Sequence, residues 1–290
     1  MNFDFSEDQK FLAGEARKFL EAESAIPVVR EVLNDDDKAY SEGLWKKIAE
    51  MGWLGTAVPE EQGGLGLGML EMCVLAEEMG RVLAPVPFSS TAYYLTEAIK
   101  LAGSDEVKND ILPRIVAGEI IGCYAASEGP GHPDPASLKT TFDGSTVSGT
   151  KIPVTDGGIA THAVVLAKEG SGASLVLVDL SGAGVTRKAL STLDPTRGHA
   201  ELTFDKTPGI RLGKAGEGAS LNDQLMDKVA VLLAFEQLGG ASRALEMAKE
   251  YSLERYAFGR PIAGNQAIDA AQDVNRPAGA GGRPRSSSPA

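Results

Sequence analysis

The side chains that could do chemistry are few and widely spaced in this sequence. Its three histidines, His132, His162 and His199, stand far apart, so each is either a proton carrier or simply a loop or strand-end side chain. With only two cysteines, Cys73 and Cys123, a disulfide framework is not expected, and both thiols are interpreted as small core residues. The sequence has no His/Cys cluster, so no metal site is predicted.

The sequence also lacks the short motifs that bind nucleotides or catalytic zinc. There is no G-x-G-x-x-G after a predicted strand, no P-loop and no H-E-x-x-H. The segment "GEG" at 216–218 is a weak signal for a phosphate cradle and is interpreted as a hinge between a strand and a helix. Any nucleotide site in this protein is therefore not of the Rossmann type.

Length, charge and hydropathy exclude several classes of protein. A chain of 290 residues, 43% of them apolar, can bury a substantial core in one large domain or two. The net charge of −12 argues against a nucleic-acid partner, because phosphate binding needs clustered Lys and Arg. The longest apolar run, "VAVLLAF" at 229–235, is far shorter than the roughly 20 residues of a membrane span. We expect a cytoplasmic protein, since the first residues also lack the character of a signal peptide.

Residues 1–118 are predicted to form an N-terminal α-helical domain. In "MLEMCVLAEEMGRVL" the apolar residues recur at the helical period, which predicts a helix with one face on a core. These residues are Met69, Met72, Cys73, Ala76, Met79 and Leu83. The segments "VPEEQGGLGLG" (58–68) and "APVPFSS" (84–90) are expected to be loops between helices, because Pro and Gly are unfavourable inside a helix.

Residues 119–213 are predicted to form a central antiparallel β domain. Six short segments rich in Val, Ile, Leu and Thr occur there: "EIIGCYA", "TVSGTKI", "HAVVLAK", "SLVLVDL", "GVTRKAL" and "AELTFDK". The gaps between them are too short for the helical crossovers of an α/β fold, so antiparallel pairing is expected. With the flanking helices, the fold class is α+β.

Residues 214–268 are predicted to be the start of a C-terminal helical domain, and residues 269–290 a disordered tail. The helix should run from about residue 221 to 256, with Ser220 or Asn222 as its cap. Its predicted core stripe is Leu225, Val229, Leu232, Leu245, Ala248 and Tyr251. Gly239 and Gly240 interrupt this helix at a cost of about 1 kcal/mol each relative to Ala, so a closely approaching neighbour is expected there. The tail "NRPAGAGGRPRSSSPA" has no periodic apolar positions.

Four segments resemble, in this order, the acyl-CoA dehydrogenases. They are "LWKKIAEMGWLGTAVPEEQGGLGLGMLEMCVLAEEMGRVLAPVPF", "ILPRIVAGEIIGCYAASE", "VSGTKIPVTDGGIATHAVVLAK" and "ERYAFGRPIAGNQAI". The resemblance covers about residues 1–268. It implies an FAD held mainly by the β domain, an acyl-CoA substrate oxidised at its α,β-bond to an enoyl-CoA, and an electron-transfer partner.

The resemblance also implies which residues contact the flavin ring. It puts the Ser127 hydroxyl of "YAASE" at the pyrimidine edge of the isoalloxazine, with a backbone contact from Ala126. Val154 and Thr155 of "IPVTDG" would lie near N5. Taken without the resemblance, the two hydroxyls are better explained as strand-end groups that cap turns.

Three further positions match family residues that touch the diphosphate and adenosine of FAD. They are Arg255, Phe258 and Gln266. An arginine suits a diphosphate because its planar fork donates bidentately. Because the family's FAD is bound largely by a neighbouring subunit at these positions, the resemblance implies a homo- or hetero-oligomer.

Several residues depart from the family pattern where the chemistry would occur. In "GPGHPD" Pro133 replaces a serine, so it can donate neither a hydroxyl nor an N–H hydrogen bond. Pro153 replaces the tryptophan that the family packs against the flavin ring. No catalytic residue is predicted. In most family members the base is a glutamate beyond "QAI", in a C-terminal domain that this chain is expected to lack. In a branched-chain subset the position of the base corresponds to Val229, which is followed here by Ala230.

Asp227 and Glu236 are the nearest carboxylates to that position, and each is a weak candidate for the base. Three interpretations therefore remain open. The chain is an FAD-dependent dehydrogenase, a non-catalytic partner subunit of a heteromeric dehydrogenase, or a truncated inactive product. Neither the acyl group nor the electron acceptor can be read from the sequence.

Overall fold

The computed structural model describes residues 4–35, 39–131 and 133–265. The α-helices are α1 (Glu7–Glu23), α2 (Ile26–Asn34), α3 (Glu42–Glu50), α4 (Met69–Arg81), α5 (Thr96–Ala102), α6 (Asp105–Val116) and α7 (Gly218–Glu254). A π-helical segment (Ser89–Leu95) runs directly into α5, and single 3-10 turns form at Trp53–Gly55, Glu60–Gln62, Pro135–Ser137 and Ile262–Gly264. The predicted tail at 269–290 lies outside the described residues.

The strands fall between α6 and α7, apart from one short hairpin after α7. They are β1 (Gly122–Ala125), β2 (Thr141–Phe142), β3 (Thr146–Thr155), β4 (His162–Glu169), β5 (Gly172–Asp179), β6 (Val185–Leu190), β7 (His199–Pro208), β8 (Ile210–Leu212), β9 (Tyr256–Ala257) and β10 (Arg260–Pro261). Each of the six predicted β segments overlaps one of these strands, namely β1, β3, β4, β5, β6 and β7. The α+β class is confirmed, with helices before the sheet and a long helix after it.

Helices α1 and α7 pack against α4, for which the sequence predicts an apolar stripe. Met72, Cys73, Ala76 and Met79 are buried, as their spacing predicted. Leu83 departs from the pattern: α4 ends at Arg81, and Leu83 is exposed in the left-handed region with φ 50°. The periodicity therefore identified the buried face of the helix but overestimated its length.

The segment "APVPFSS" is only partly a loop. Its last residues, Ser89 and Ser90, begin the π-helical segment, which is buried against β1. A Cβ on Gly122 would lie 2.4 Å from the Cβ of Leu95, so glycine is what allows the strand and the π-helical segment to approach this closely. This contact joins the helical region to the sheet.

The sheet has the order β6-β7-β3-β2-β4-β5-β8, with β1 beside β4. Most neighbouring strands are antiparallel, as predicted. Two pairings correct that expectation, because β1 and β2 both run parallel to β4. The chain between β1 and β4 contains β2 and β3, and these strands make the crossover that no helix had room to make.

Helix α7 crosses α4 through glycines, which confirms the close neighbour predicted at Gly239 and Gly240. A Cβ on Gly239 would lie 1.8 Å from the carbonyl oxygen of Glu77, and one on Gly80 would lie 1.9 Å from that of Glu236. The two helix backbones are therefore in direct contact. The cost of glycine in the middle of α7 is offset by this close packing.

Two expectations for α7 were wrong. The helix begins at Gly218 after Glu217, with no side-chain cap, so neither Ser220 nor Asn222 caps it. Of the predicted core stripe, Leu225, Val229 and Leu232 are buried, whereas Tyr251 is 60% exposed. The period shows which face of a helix is apolar, but it does not show whether another element covers that face.

Among the described residues, no helix combines the length and hydropathy needed to cross a bilayer. The same residues contain no group of three or more His, Cys, Asp or Glu side chains arranged to hold a metal ion. Cys73 and Cys123 are both buried and unpaired, in agreement with their interpretation as core residues.

Candidate functional site

A cleft of about 460 Å³ lies where the ends of β1, β3 and β7 meet the π-helical segment and α7. Its walls are Ser89, Ser90, Tyr94, Tyr124, Ala126, Ser127, Pro133, Pro153, Thr155, Asp194, Arg197, His199, Asn222, Met226 and Leu233. A second cavity of about 340 Å³ shares Ser89, Asp194, Arg197 and Leu233 with the first and continues between α4 and α7. We call the first of these the main cleft.

The main cleft brings together three of the sequence-predicted site residues. Ala126 and Ser127 follow β1, and Thr155 ends β3, so all three lie at the same edge of the sheet. Val154 does not line the cleft, because its side chain is fully buried in the sheet. Pro133 and Pro153, the two departures from the family pattern, also face the cleft.

The remaining predicted cofactor residues lie elsewhere. Arg255 follows α7 and Phe258 lies in the turn between β9 and β10; both are exposed, and neither lines the main cleft. Phe258 has φ 54° and projects an apolar ring into solvent. Gln266 lies outside the described residues. A contact of these side chains with a neighbouring subunit's FAD stays a prediction.

The backbone at Ala126 and Ser127 is held from behind by β3. The ammonium of Lys151, which is fully buried, donates to the Ala126 carbonyl oxygen at 3.0 Å and to the Glu128 carboxylate at 2.8 Å. The Ile152 N–H donates to the Ser127 carbonyl oxygen at 2.8 Å. The Ser127 side chain lines the main cleft, and its hydroxyl makes no hydrogen bond to the described part of the chain.

Thr155 and His199 face each other across β3 and β7 and both line the main cleft. Thr155 Oγ1 lies 3.2 Å from His199 Nε2, and His199 Nδ1 lies 3.0 Å from the Arg197 carbonyl oxygen. Sequence pattern alone does not pair Thr155 with His199, because the strand register that brings them together is set by tertiary structure.

A charged pair separates the main cleft from the second cavity. The Arg197 guanidinium donates to the Ser89 hydroxyl at 2.5 Å and to the Glu236 carboxylate. Burial raises the pKa of Glu236, and the opposing charge of Arg197 limits that rise. Glu236, a weak candidate for the base, is therefore paired with a cation between the β domain and α7.

Three aromatic and amide side chains form another wall of the main cleft. The Tyr94 and Tyr124 rings stack with centroids 5.5 Å apart and an interplanar angle of 17°. The Tyr124 hydroxyl donates to the Asn222 amide oxygen. Burial raises the pKa of Tyr124, so it remains a neutral phenol across the physiological range. Asn222, predicted to be a helix cap, instead positions this tyrosine.

Carboxylates near the main cleft are already engaged or point away from it. Asp194 is the one acid among the lining residues, and its Oδ1 accepts hydrogen bonds from the Thr196 N–H at 2.9 Å and from the Thr196 hydroxyl at 2.7 Å. Asp156 is buried and accepts from Ser90 at 2.6 Å. Asp227, the other weak candidate for the base, is exposed on α7. Within the described residues, Asp194 is therefore the one carboxylate that lines the cleft, and it is already hydrogen-bonded.

Two protein-family models match most of the chain. The acyl-CoA dehydrogenase N-terminal domain matches residues 6–119, and the acyl-CoA dehydrogenase middle domain matches residues 123–207. The helical region and the sheet each correspond to one of these domains. The main cleft lies between the sheet, the π-helical segment that precedes the sheet in the chain, and α7, which follows it.

Individual proteins give the same relationship. The chain is 31% identical over 285 residues to acryloyl-CoA reductase (NADH) of Anaerotignum propionicum, covering 92% of this chain and 72% of the reductase. An acyl-CoA dehydrogenase of Bacillus anthracis complexed with FAD is 26% identical with a TM-score of 0.85, covering 93% of this chain and 48% of that one. The ChsE4–ChsE5 complex of Mycobacterium tuberculosis is 26% identical with a TM-score of 0.83, covering 94% and 74%.

Proposed function

Because the chain belongs to the acyl-CoA dehydrogenase family, we propose that its main cleft binds FAD and an acyl-CoA thioester for α,β-dehydrogenation. The observation that carries this proposal is the convergence of Ala126, Ser127 and Thr155 on one cleft. These residues were assigned to the flavin ring by resemblance alone, and they are separated in sequence by most of β3 and the chain before it. Their convergence supports a common ligand.

The chemistry of the cleft fits an isoalloxazine ring. Ser127 offers a free hydroxyl, and Thr155 offers a second hydroxyl at the same sheet edge. Tyr94, Met226 and Leu233 supply apolar surface on the helical side. A flat heteroaromatic ring with a polar edge needs this combination of hydrogen-bonding and apolar walls.

In the proposed reaction, a base removes the α-proton of the thioester and the β-hydrogen leaves with its electron pair, which creates the α,β-double bond. FAD, when bound, supplies the two-electron acceptor for that hydrogen. The residues of this chain bind and orient the flavin ring. Ser127 and Thr155 hydrogen-bond the ring, and the Tyr94–Tyr124 stack excludes water from one side of the cleft.

The family position of the base that falls among the described residues holds no proton-accepting group. Val229 and Ala230 cannot accept a proton, Glu236 is paired with Arg197, and Asp227 points into solvent. This observation favours a second candidate function, in which the chain is one subunit of a heteromeric dehydrogenase and a partner chain supplies the base. The structural similarity to the ChsE4–ChsE5 complex, which is named for two proteins, supports this candidate. In that case the exposed side chains of Arg255 and Phe258 are available to contact an FAD shared with the partner chain. The reduced FAD would then pass its electrons to a separate acceptor protein.

Ser127→Ala is expected to weaken FAD binding about three- to tenfold, because it removes one hydrogen bond worth about 0.5–1.5 kcal/mol. Equilibrium titration of the flavin-free protein with FAD, followed by flavin fluorescence and absorbance, measures this change. Ser171→Ala is the matched control, because Ser171 is an exposed serine in the turn between β4 and β5 and does not line the cleft. Failure of the wild-type protein to bind FAD, alone or with a partner chain, would contradict the proposed function.

The chain without a partner is expected not to bleach bound flavin when mixed anaerobically with acyl-CoA thioesters. A placed general base contributes typically 10²- to 10⁴-fold in rate. The two titratable side chains that could accept a proton and line the cleft are already hydrogen-bonded, Asp194 to Thr196 and His199 to Thr155. Stopped-flow loss of the oxidised-flavin absorbance band measures the reaction. Rapid bleaching by the chain alone would refute the heteromeric candidate and direct attention to Asp227 and Glu236. Bleaching only after a partner chain is added would support it.

A further inference from the structure

His199 is a titratable group that touches the proposed flavin site, and neither the sequence nor the proposed reaction gives it a role. Its ring bridges two elements of the main cleft, since Nε2 faces the Thr155 hydroxyl and Nδ1 faces the backbone before β7. The two contacts together determine where the ring carries its hydrogen.

The tautomer follows from what each partner can do. A backbone carbonyl oxygen can only accept a hydrogen bond, so Nδ1 must carry the hydrogen that it shares with the Arg197 carbonyl at 3.0 Å. In the neutral imidazole, Nε2 then has a lone pair and no hydrogen. The Thr155 hydroxyl, 3.2 Å away, therefore donates its hydrogen to Nε2. Its oxygen is left with lone pairs for any ligand in the cleft.

We infer that His199 is a positioning residue that makes Thr155 a hydrogen-bond acceptor toward the bound flavin and thereby favours the reduced cofactor. This inference rests on the proposed FAD site. N5 of an oxidised flavin is itself an acceptor, so it gains nothing from the lone pairs of Thr155. N5 of a reduced flavin carries a hydrogen and can donate it to Thr155.

Other charges surround the ring and are part of the same arrangement. Arg197 and Asp194 belong to the loop before β7, and Asp156 follows β3; both acids interact electrostatically with His199. Glu236, on α7, is paired with Arg197 rather than with the imidazole. The measurements below are made at about pH 8.5, where imidazole side chains are ordinarily neutral.

The first test uses the flavin-free protein and therefore does not depend on the proposed function. Long-range ¹H–¹⁵N spectra of the imidazoles are expected to show His199 with Nδ1 protonated and Nε2 bare, the signals being assigned by their loss in His199→Phe. Thr155→Val is expected to shift the Nε2 resonance, and Thr155→Ser to restore it. A His199 ring protonated at Nε2, or a resonance indifferent to Thr155→Val, would overturn the inference.

The second test measures the midpoint potential of bound flavin. In His199→Phe the Thr155 hydroxyl is free to rotate and can donate to oxidised N5. The ratio of reduced to oxidised flavin at a fixed potential is therefore expected to fall about three- to tenfold, or about 15–30 mV for a two-electron couple. His162→Phe is the matched control, because His162 contacts Thr161 and does not line the cleft.

The outcomes separate the two proposals. An unchanged potential in His199→Phe, or an equal shift in His162→Phe, overturns the role of His199 while leaving FAD binding intact. Wild-type protein that binds no flavin overturns the proposed function and with it the flavin-directed role of His199, whereas the tautomer found in the flavin-free spectra would still describe the Thr155–His199 pair.

Discussion

Gly239→Ala is expected to lower the free energy of unfolding by about 3 kcal/mol or more, at the upper end of what overpacking costs. The new Cβ would lie 1.8 Å from the Glu77 carbonyl oxygen and 2.9 Å from the Arg81 amide nitrogen. Both neighbours are backbone atoms of α4, so no side-chain rotation can relieve the overlap. The two helices must separate, which also opens the second cavity, since Gly80 and Gly240 are among its walls.

Gly240→Ala is the matched control for this prediction. Its Cβ would lie 3.5 Å from the Gly80 carbonyl oxygen, which is ordinary van der Waals contact. Because alanine is favoured over glycine in a helix by up to about 1 kcal/mol, this variant should be as stable as the wild type or slightly more so. Urea unfolding midpoints at constant m-value report the difference. Equal stability of the two variants would show that α4 and α7 are not in backbone contact.

The glycine pair shows how far sequence reasoning reaches in this fold. Two glycines inside a helical pattern are a local conflict, and the expected resolution, a close neighbour, is what α4 supplies. The position of that neighbour could not be read, because Gly80 and Gly239 are remote in sequence. The same limit explains why the parallel pairing of β1 with β4 was missed.

The residues of the candidate site that could be predicted from sequence are those in short local matches, and the others depend on tertiary structure. Ser127 and Thr155 were found through short sequence matches around them, and the structure brings both to the main cleft. His199 and Arg197 were not assigned to the site, because their roles depend on strand register and on a loop folding against α7. Asn222 was misread for a related reason: a polar residue near a helix start resembles a cap, whereas here it accepts from Tyr124.

The buried Lys151 illustrates a signal that local pattern cannot provide. The sequence pattern predicts that a lysine between Thr150 and Ile152 on a strand faces solvent, yet the side chain of Lys151 is fully buried. Burial lowers the pKa of Lys151, and the Glu128 carboxylate opposes that shift. Only the tertiary contact with Glu128 makes a buried ammonium tolerable at this position.

Lys151→Met is expected to cost about 3–5 kcal/mol, the range for removing one partner of a buried ion pair. The variant leaves the Ala126 carbonyl without its 3.0 Å donor and the Glu128 carboxylate, 15% exposed, without its cation. Lys139→Met is the matched control: Lys139 is exposed, and its contact with Glu128 is through the backbone N–H, which the substitution keeps. Urea unfolding of both variants, with a Lys151→Met/Glu128→Gln double mutant, measures the coupling.

The change in the free energy of unfolding at acidic pH provides an independent check on the Lys151–Glu128 pair. Burial alone raises the pKa of Glu128, but hydrogen bonds from Lys151 and from the backbone N–H groups of Lys139 and Thr140 outweigh it and hold the pKa at about 2. Such a carboxylate stabilises the fold above its unfolded pKa of about 4.3, and that contribution is lost as the pH falls toward about 2. In Lys151→Met the folded pKa rises toward the unfolded value, so the loss over this window should be smaller than in the wild type. An equally steep acid dependence in the two proteins would mean that Lys151 does not hold the Glu128 charge.

Because Lys151 also holds the carbonyl of Ala126, the same variant should bind FAD more weakly than Lys139→Met even at neutral pH, where both remain folded.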